Sequence, residues 1–286
     1  MEVIETVAKM QEKAEALRAQ GKTIALVPTM GYLHEAHLEL MRVGKRHADV
    51  LIISIFVNPT QFGPSEDFER YPRDREGDLK KAKSVGVDIV FIPTVEEMYP
   101  EGFQTTVTVS QLTKHLCGVS RPGHFDGVCT VVAKLFNITK PHIAVFGQKD
   151  YQQLAVITRM AMDLNMDIEI IGVPTIRESD GLAMSSRNAY LSEEERASAL
   201  SLKRSLDRAE EMFRLGERDA LRIKDEIVRL IESYPFTEID YVSICDPVTL
   251  EELTRLGERN LVALAVRVGQ TRLIDNKVIE EQDIKA

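Results

Sequence analysis

At 286 residues, 44% hydrophobic and 28% charged, the chain has the composition of an ordinary soluble protein long enough for one large core or two domains. A net charge of −9 speaks against a general nucleic-acid binder, which needs a basic face to release counterions. The longest apolar run, 50–57, is strand-sized and contains Ser54, so no membrane span is expected; Met1-Glu2-Val3-Ile4-Glu5 lacks the basic n-region of a secretory signal. Cys117, Cys129 and Cys245 are irregularly spaced and odd in number, which predicts reduced thiols and a cytoplasmic location.

Hydrophobic periodicity then predicts, in chain order, helix 3–19, strand 24–27, helix 34–47, strand 50–57, helix 75–85 and strand 88–92. A β-rich stretch 105–109 follows, then helix 125–137, strand 143–146, helix 151–164 and strand 168–173. Such alternation predicts an α/β fold with a Rossmann-like doubly wound parallel sheet, whose ligands sit at the carboxyl ends of the strands. After Pro174 the pattern changes to two charged helices, 192–215 and 219–233, and strands 239–244, 261–268 and 272–274. The expected division is a domain 1–175 and a smaller C-terminal α+β domain 176–286.

Four constellations carry chemistry, three of them just after predicted strands. The first is Met30-Gly31-Tyr32-Leu33-His34-Glu35-Ala36-His37, where two histidines share one face of a helix's first turn. Leu33, Ala36, Leu40 and Val43 form the apolar stripe of that helix. A helix N-terminus favours anions, and two imidazole donors there make a phosphate cradle. The pair is one residue short of the H-E-x-x-H zinc spacing and has no nearby Cys, so no metal ligands are expected from protein side chains. The second is Asn58-Pro59-Thr60-Gln61, which by itself reads first as an Asx turn with an exposed Gln, and otherwise as two uncharged amides suited to hydroxyls and a carboxylate. The third is Gly147-Gln148-Lys149-Asp150, where Lys149 is placed to neutralise a phosphate and Asp150 to hold a ribose hydroxyl or simply cap a helix. The fourth is the polar segment 177–188, in which Ser185, Ser186 and Arg187 suit a β/γ-phosphate, or a polar linker.

Taken together, and in this order, these motifs resemble the pantoate–β-alanine ligases of the nucleotidylyltransferase superfamily. The resemblance spans essentially the whole chain, through Pro28-Thr29-Met30-Gly31, residues 56–62, Tyr71-Pro72-Arg73, residues 121–125, 149–153, 180–188 and 271–276. It implies a two-step reaction in which pantoate attacks the α-phosphate of ATP, and β-alanine then displaces AMP to give pantothenate. Carried onto this chain, it implies an ATP site from Met30, Gly31, His34, His37, Gly147, Gln148, Lys149, Asp150, Ile176, Met184, Ser185, Ser186 and Arg187. His37 falls in the proton-donor position, and His34, Lys149 and Arg187 share the catalytic work. Gln61, Gln153 and Asn58 are the implied pantoate contacts, Gln61 also meeting β-alanine, while Arg121 and His124 belong to a segment closing over the pocket. Magnesium is implied with ATP, and a homodimer as the assembly.

The chemistry asks the protein for positioning and charge stabilisation and for no covalent nucleophile. Two departures stand out: Ala36 replaces the Gly of the superfamily's H-x-G-H, and Gln148 replaces a common acidic residue. Two other functions stay open at this point. One is a different nucleotidylyltransferase; the other is a nucleotide-binding homologue whose activity is reduced by Ala36.

Overall fold

The computed structural model describes residues 1–64 and 66–281. They form two compact units, one comprising Met1–Ser110, Arg121–Gln148 and Gln153–Pro174, the other Gln111–Ser120, Lys149–Gln152 and the chain from Thr175 onward. Among the described residues no helix is long and apolar enough to cross a membrane.

In the first unit, strands β1 (Glu2–Ile4), β2 (Ile24–Thr29), β3 (Val50–Ile55), β4 (Ile89–Phe91), β5 (Ile143–Gly147) and β6 (Glu169–Val173) make one sheet in the order β1-β4-β3-β2-β5-β6. Every pairing is parallel. Apart from the edge strand β1, the strand order runs outward in both directions from β2, so the topological switch point lies between β2 and β5. In open α/β sheets ligands bind outside the carboxyl ends of the strands at that point. The central strands are continuous runs of Ile, Leu, Val and Ala, as a sheet covered on both faces requires. Leu51, Ile53, Val27 and Met41 belong to one core cluster beneath helix Glu35–His47. Helix His124–Thr139 is apolar nearly all round and correspondingly buried.

Three expectations change. Residues 2–4 form the edge strand β1, and the helix begins only at Val7. The stretch 105–109 joins no sheet, because Val107 N–H donates to the side chain of Thr130 in place of a strand neighbour. Of the expected stripe, Leu33 and Val43 are buried and Leu40 packs against the same core, while Ala36 is only half-buried and the buried face of helix Glu35–His47 also takes in Met41 and Gly44. Gly44 marks the closest approach, since a Cβ there would lie 2.9 Å from Leu51 Cδ1. A hydrophobic stripe read from side chains gives no weight to such a glycine.

The second unit is an antiparallel sheet of β7 (Thr237–Cys245), β8 (Arg259–Val268) and β9 (Thr271–Glu280), with β8 central. Helices Glu193–Arg214 and Ala220–Glu232 cover it, burying Leu202, Leu206, Phe213, Ile223, Ile227 and Ile231 against Val262, Leu264 and Val266. Ser192 and Glu195 form a capping box that starts the first of these helices, and Asp219 caps the second. Two earlier pieces of chain join this unit through side-chain bonds. Gln152 accepts from Cys117 N–H and donates to the carbonyls of Leu112 and His115. Arg272 donates to Ser120 Oγ and pairs with Asp240.

Candidate active site

The chain leaves β2 at Thr29 and turns through Met30–His34 before helix Glu35–His47 begins. The turn needs left-handed backbone at Gly31 (φ +85°) and Tyr32 (φ +50°). It is held by a residue that sequence reasoning missed, Asp78, on helix Arg75–Ser84. Its carboxylate is 1% exposed and accepts from Tyr32 N–H at 2.8 Å and Leu33 N–H at 2.6 Å. One turn along the same helix, Lys81 donates to Leu33 O at 2.7 Å. Burial pushes the Asp78 carboxyl above its ordinary range despite those two N–H bonds. Gly31 is required by this clamp as well as by its dihedral angle, because a Cβ there would stand 3.0 Å from Asp78 Oδ2. Nothing local to 75–84 betrays the role, since Asp78 sits in a run of charges that reads as solvent-facing.

Beyond the turn, His34 N–H donates to His37 Nδ1 at 3.3 Å, and the two rings lie 4.0 Å apart, tilted by 30°. A ring whose Nδ1 accepts in its neutral form carries its proton on Nε2. At the end of β3 the residues 59–61 form a 3-10 turn capped by Asn58. Asn58 is buried and saturated. Its Nδ2 donates to Gln61 Oε1 and Gly127 O, both at 3.1 Å, and its Oδ1 accepts from Tyr99 O–H and Thr60. Gly127 lets helix His124–Thr139 back onto this turn, where a Cβ would fall 2.3 Å from Thr60 O. Gln61 then donates from Nε2 to Met30 Sδ at 3.2 Å, so the residues after β2 and β3 meet. Its backbone carbonyl accepts from His124 Nδ1 at 2.8 Å and from Arg121. Arg121 in turn grips Glu66 with two bonds, and although burial opposes it, that guanidinium holds the Glu66 carboxyl below the usual range.

After β5, a Cβ on Gly147 would meet no atom within 4 Å, so packing does not require glycine there. Gln148 lies against β6, its Nε2 within 3.3 Å of where a Cβ on Gly172 would be. Gln153 is half-buried and its amide has no hydrogen-bond partner among the described residues, in contrast to the saturated Gln152 beside it.

In the second unit Lys149 and Asp150 form an ion pair at 3.8 Å, and Asn276 Nδ2 donates to Lys149 O at 2.7 Å. Ile176 begins a small hairpin closed by Met184 N–H on Ile176 O at 3.0 Å, with Gly181 at φ +98° in its turn. Arg196 holds Glu178 and Asp180, and Asn188 donates to Glu178 and to Ala183 O. Ser185 Oγ accepts from Arg187 N–H at 3.3 Å and starts the 3-10 turn Ser186–Tyr190. Met184, Ser185, Ser186 and Arg187 therefore follow one another off a braced turn. Among the described residues no group of three or more His, Cys, Asp and Glu is arranged to hold a metal ion.

A doubly wound sheet with a histidine-bearing helix start beside its switch point defines the class. Residues 2–278 match the family model described as Pantoate-beta-alanine ligase. A pantothenate synthetase of Syntrophus aciditrophicus (strain SB) is 58% identical over 282 residues, covering 99% of each chain. Among solved structures, a pantothenate synthetase from Thermus thermophilus superposes with a TM-score of 0.92 at 44% identity, covering 97% of this chain and 99% of that one. The pantoate-beta-alanine ligase from Francisella tularensis, described as complexed with β-γ ATP and β-alanine, matches with a TM-score of 0.79 at 32% identity over 97% of each chain. The chain belongs to the pantoate–β-alanine ligase family.

Proposed function

We propose that the chain condenses (R)-pantoate with β-alanine to give pantothenate, cleaving ATP, taken as its magnesium complex, to AMP and pyrophosphate. The observation that carries this reading is the gathering of His37, Gln61 and Gly147 at the carboxyl ends of β2, β3 and β5, next to the switch point. In the first step a pantoate carboxylate oxygen attacks the α-phosphorus, forming pantoyl adenylate as pyrophosphate leaves. The protein's part is to hold the carboxylate in line and to stabilise charge growing on the leaving oxygens.

Gln61 and Gln153 offer amide donors and acceptors to pantoate without adding a charge that would compete with the phosphates. Asn58 has no bonding capacity left, so its role is to orient Gln61 and not to meet the acid. His37, with its proton on Nε2, donates to a phosphate oxygen, and His34 fixes that tautomer through its N–H. Met30, Gly31, Gly147, Gln148, Asp150 and Ile176 line the nucleoside. Lys149 supplies a point charge, and Arg187 with Ser185 and Ser186 and the backbone of Met184 grips the β- and γ-phosphates. In the second step the β-alanine amine attacks the acyl carbon of the adenylate, AMP departs, and the amine proton is lost; Gln61 also orients β-alanine.

The first unit, expected at 1–175, is then the nucleotide- and pantoate-binding domain, and the second, expected at 176–286 but also taking in 111–120 and 149–152, is the smaller domain that carries the phosphate-gripping segment. Assembly as a homodimer and a cytoplasmic location belong to the same reading. The test is product analysis with pantoate, β-alanine and magnesium ATP. AMP and pyrophosphate in a one-to-one ratio with pantothenate are expected; ADP and phosphate as main products would overturn it.

A further inference from the structure

Strand β9 carries two adjacent polar residues, Asp275 and Asn276, that the reaction chemistry leaves without a role. Both are buried, a costly position for a carboxylate and an amide unless each is fully partnered. They sit in unbroken antiparallel register with the central strand β8, Asp275 opposite Leu264 and Asn276 opposite Ala263. Arg177 grips Asp275 with two bonds of 2.7 and 3.0 Å, a planar match that fixes orientation as well as distance. The same guanidinium donates to Gly181 O at 3.1 Å, so it holds the turn that leads into Met184–Arg187 at both of its limbs. Asn276 Nδ2 donates to Lys149 O at 2.7 Å, and the backbone N–H of Asn276 donates to Asp275 Oδ1 at 2.8 Å, which ties the Asp275 carboxylate to the strand position that carries Asn276.

We infer that Asp275 and Asn276 are a positioning pair: one strand sets the register of Lys149 and of the Ile176–Arg187 segment together. This rests on the reading of Lys149 and Arg187 as the groups that handle phosphate. A shift of roughly 1 Å in either is enough to lose much of the benefit of a preorganised charge, so one rigid strand anchoring both is a physical advantage over two separate supports.

The test is a double-mutant cycle on the full-length protein, read as pyrophosphate release with kcat and KM measured separately. Asn276→Ala should lower kcat about tenfold and leave the pantoate KM within about twofold, while in a Lys149→Ala background the same change should cost less than about twofold. Asn276→Ser, which keeps a donor, should recover part of the rate. Equal losses in both backgrounds, or a wild-type kcat for Asn276→Ala, would overturn the inference. If Lys149→Ala alone is harmless, the role given to Lys149 fails, and the pair is judged by structure alone. Asp275→Asn should then speed amide exchange at Glu178 and Met184 by about tenfold or more, since it removes the charge that holds Arg177. Unchanged exchange at those amides would end the proposal.

Discussion

The parallel-sheet unit and the antiparallel unit present different chemistry and hold it in different ways. In the first, the candidate groups are amides and imidazoles, fixed at the ends of strands by bonds of 3.1 to 3.3 Å to one another, to Met30 and to backbone. In the second they carry charge, Lys149 and Arg187, and their segments are fixed by carboxylates and an amide reaching across the unit: Asp275 to Arg177, Glu178 and Asp180 to Arg196, Asn276 to Lys149. The amides recognise hydroxyls and a carboxylate, whereas the cations stabilise a departing pyrophosphate. Substitutions of the first unit's amides should therefore appear mainly in KM for pantoate, and those of the second unit's cations mainly in kcat.

The largest effect is expected at Lys149. Lys149→Ala removes a preorganised charge and should slow AMP formation by on the order of 10²-fold or more. Its ammonium makes no ion pair closer than the 3.8 Å one with Asp150 among the described residues, so thermal melting should barely move. A rate within a few-fold of wild type would erase the contrast between the units.

Next come the amides. Gln61→Ala and Gln153→Ala should each raise the pantoate KM by roughly 5- to 150-fold, since an unpaired buried partner costs about 1–3 kcal/mol. The KM for ATP and the melting temperature should stay near wild type. Asn58→Ala should raise the same KM and also lower the melting temperature, because it takes one partner each from Tyr99, Thr60 and Gly127. Equal melting of the Asn58 and Gln61 variants would refute the separation of orienting from contacting amide.

Asp78 gives a third, smaller effect with a definite pH sign. Asp78→Asn replaces one acceptor oxygen by a donor facing a backbone N–H, so one N–H of the Met30–His34 turn loses its bond, at about 1–3 kcal/mol. The wild-type carboxyl is held above its ordinary value of 3.8 by burial, with Lys81 and the N–H bonds opposing and Asp74 reinforcing. The folded state thus keeps this proton to a higher pH than the unfolded chain does. Stability drawn from Asp78 is greatest below 3.8 and falls as pH rises through the raised value. Melting curves across the acid range should lose that component in Asp78→Asn. An identical pH slope in both proteins would remove Asp78 from the account.

The smallest effect is at Ala36. Helix propensity favours Ala over Gly by about 1 kcal/mol, so Ala36→Gly should cost a little stability. It also removes a methyl from the half-exposed first turn on which adenine is expected to lie, and ATP binding should tighten. Calorimetric titration with an ATP analogue, beside thermal melts, reads both; equal or weaker binding would mean that the backbone already accommodates the methyl.

Nearly all of the sheet and the helices were legible, because buried parallel strands and long amphipathic helices announce themselves by hydrophobic run and period. The exceptions share a cause. β1 is a three-residue edge strand stabilised by its neighbour β4, and β9 runs to Glu280, well past the 272–274 expected, because Asp275, Asn276 and Lys277 break its apolar pattern. Those polar residues are tolerated there only through partners far away in sequence, Arg177, Lys149 and Glu210. The same holds for the candidate site. The displayed groups lie in local motifs, whereas the groups that aim them, Asp78, Tyr99, Asp275 and Asn276, become visible only when tertiary contacts do.

The central claim is that a pantoate carboxylate oxygen attacks the α-phosphorus of ATP. Pantoate labelled with 18O in both carboxylate oxygens, turned over with unlabelled ATP and β-alanine, tests it directly. One labelled oxygen should appear in AMP and the other in the amide carbonyl of pantothenate. Label recovered in inorganic phosphate, with none in AMP, would show attack at the γ-phosphorus and contradict the account.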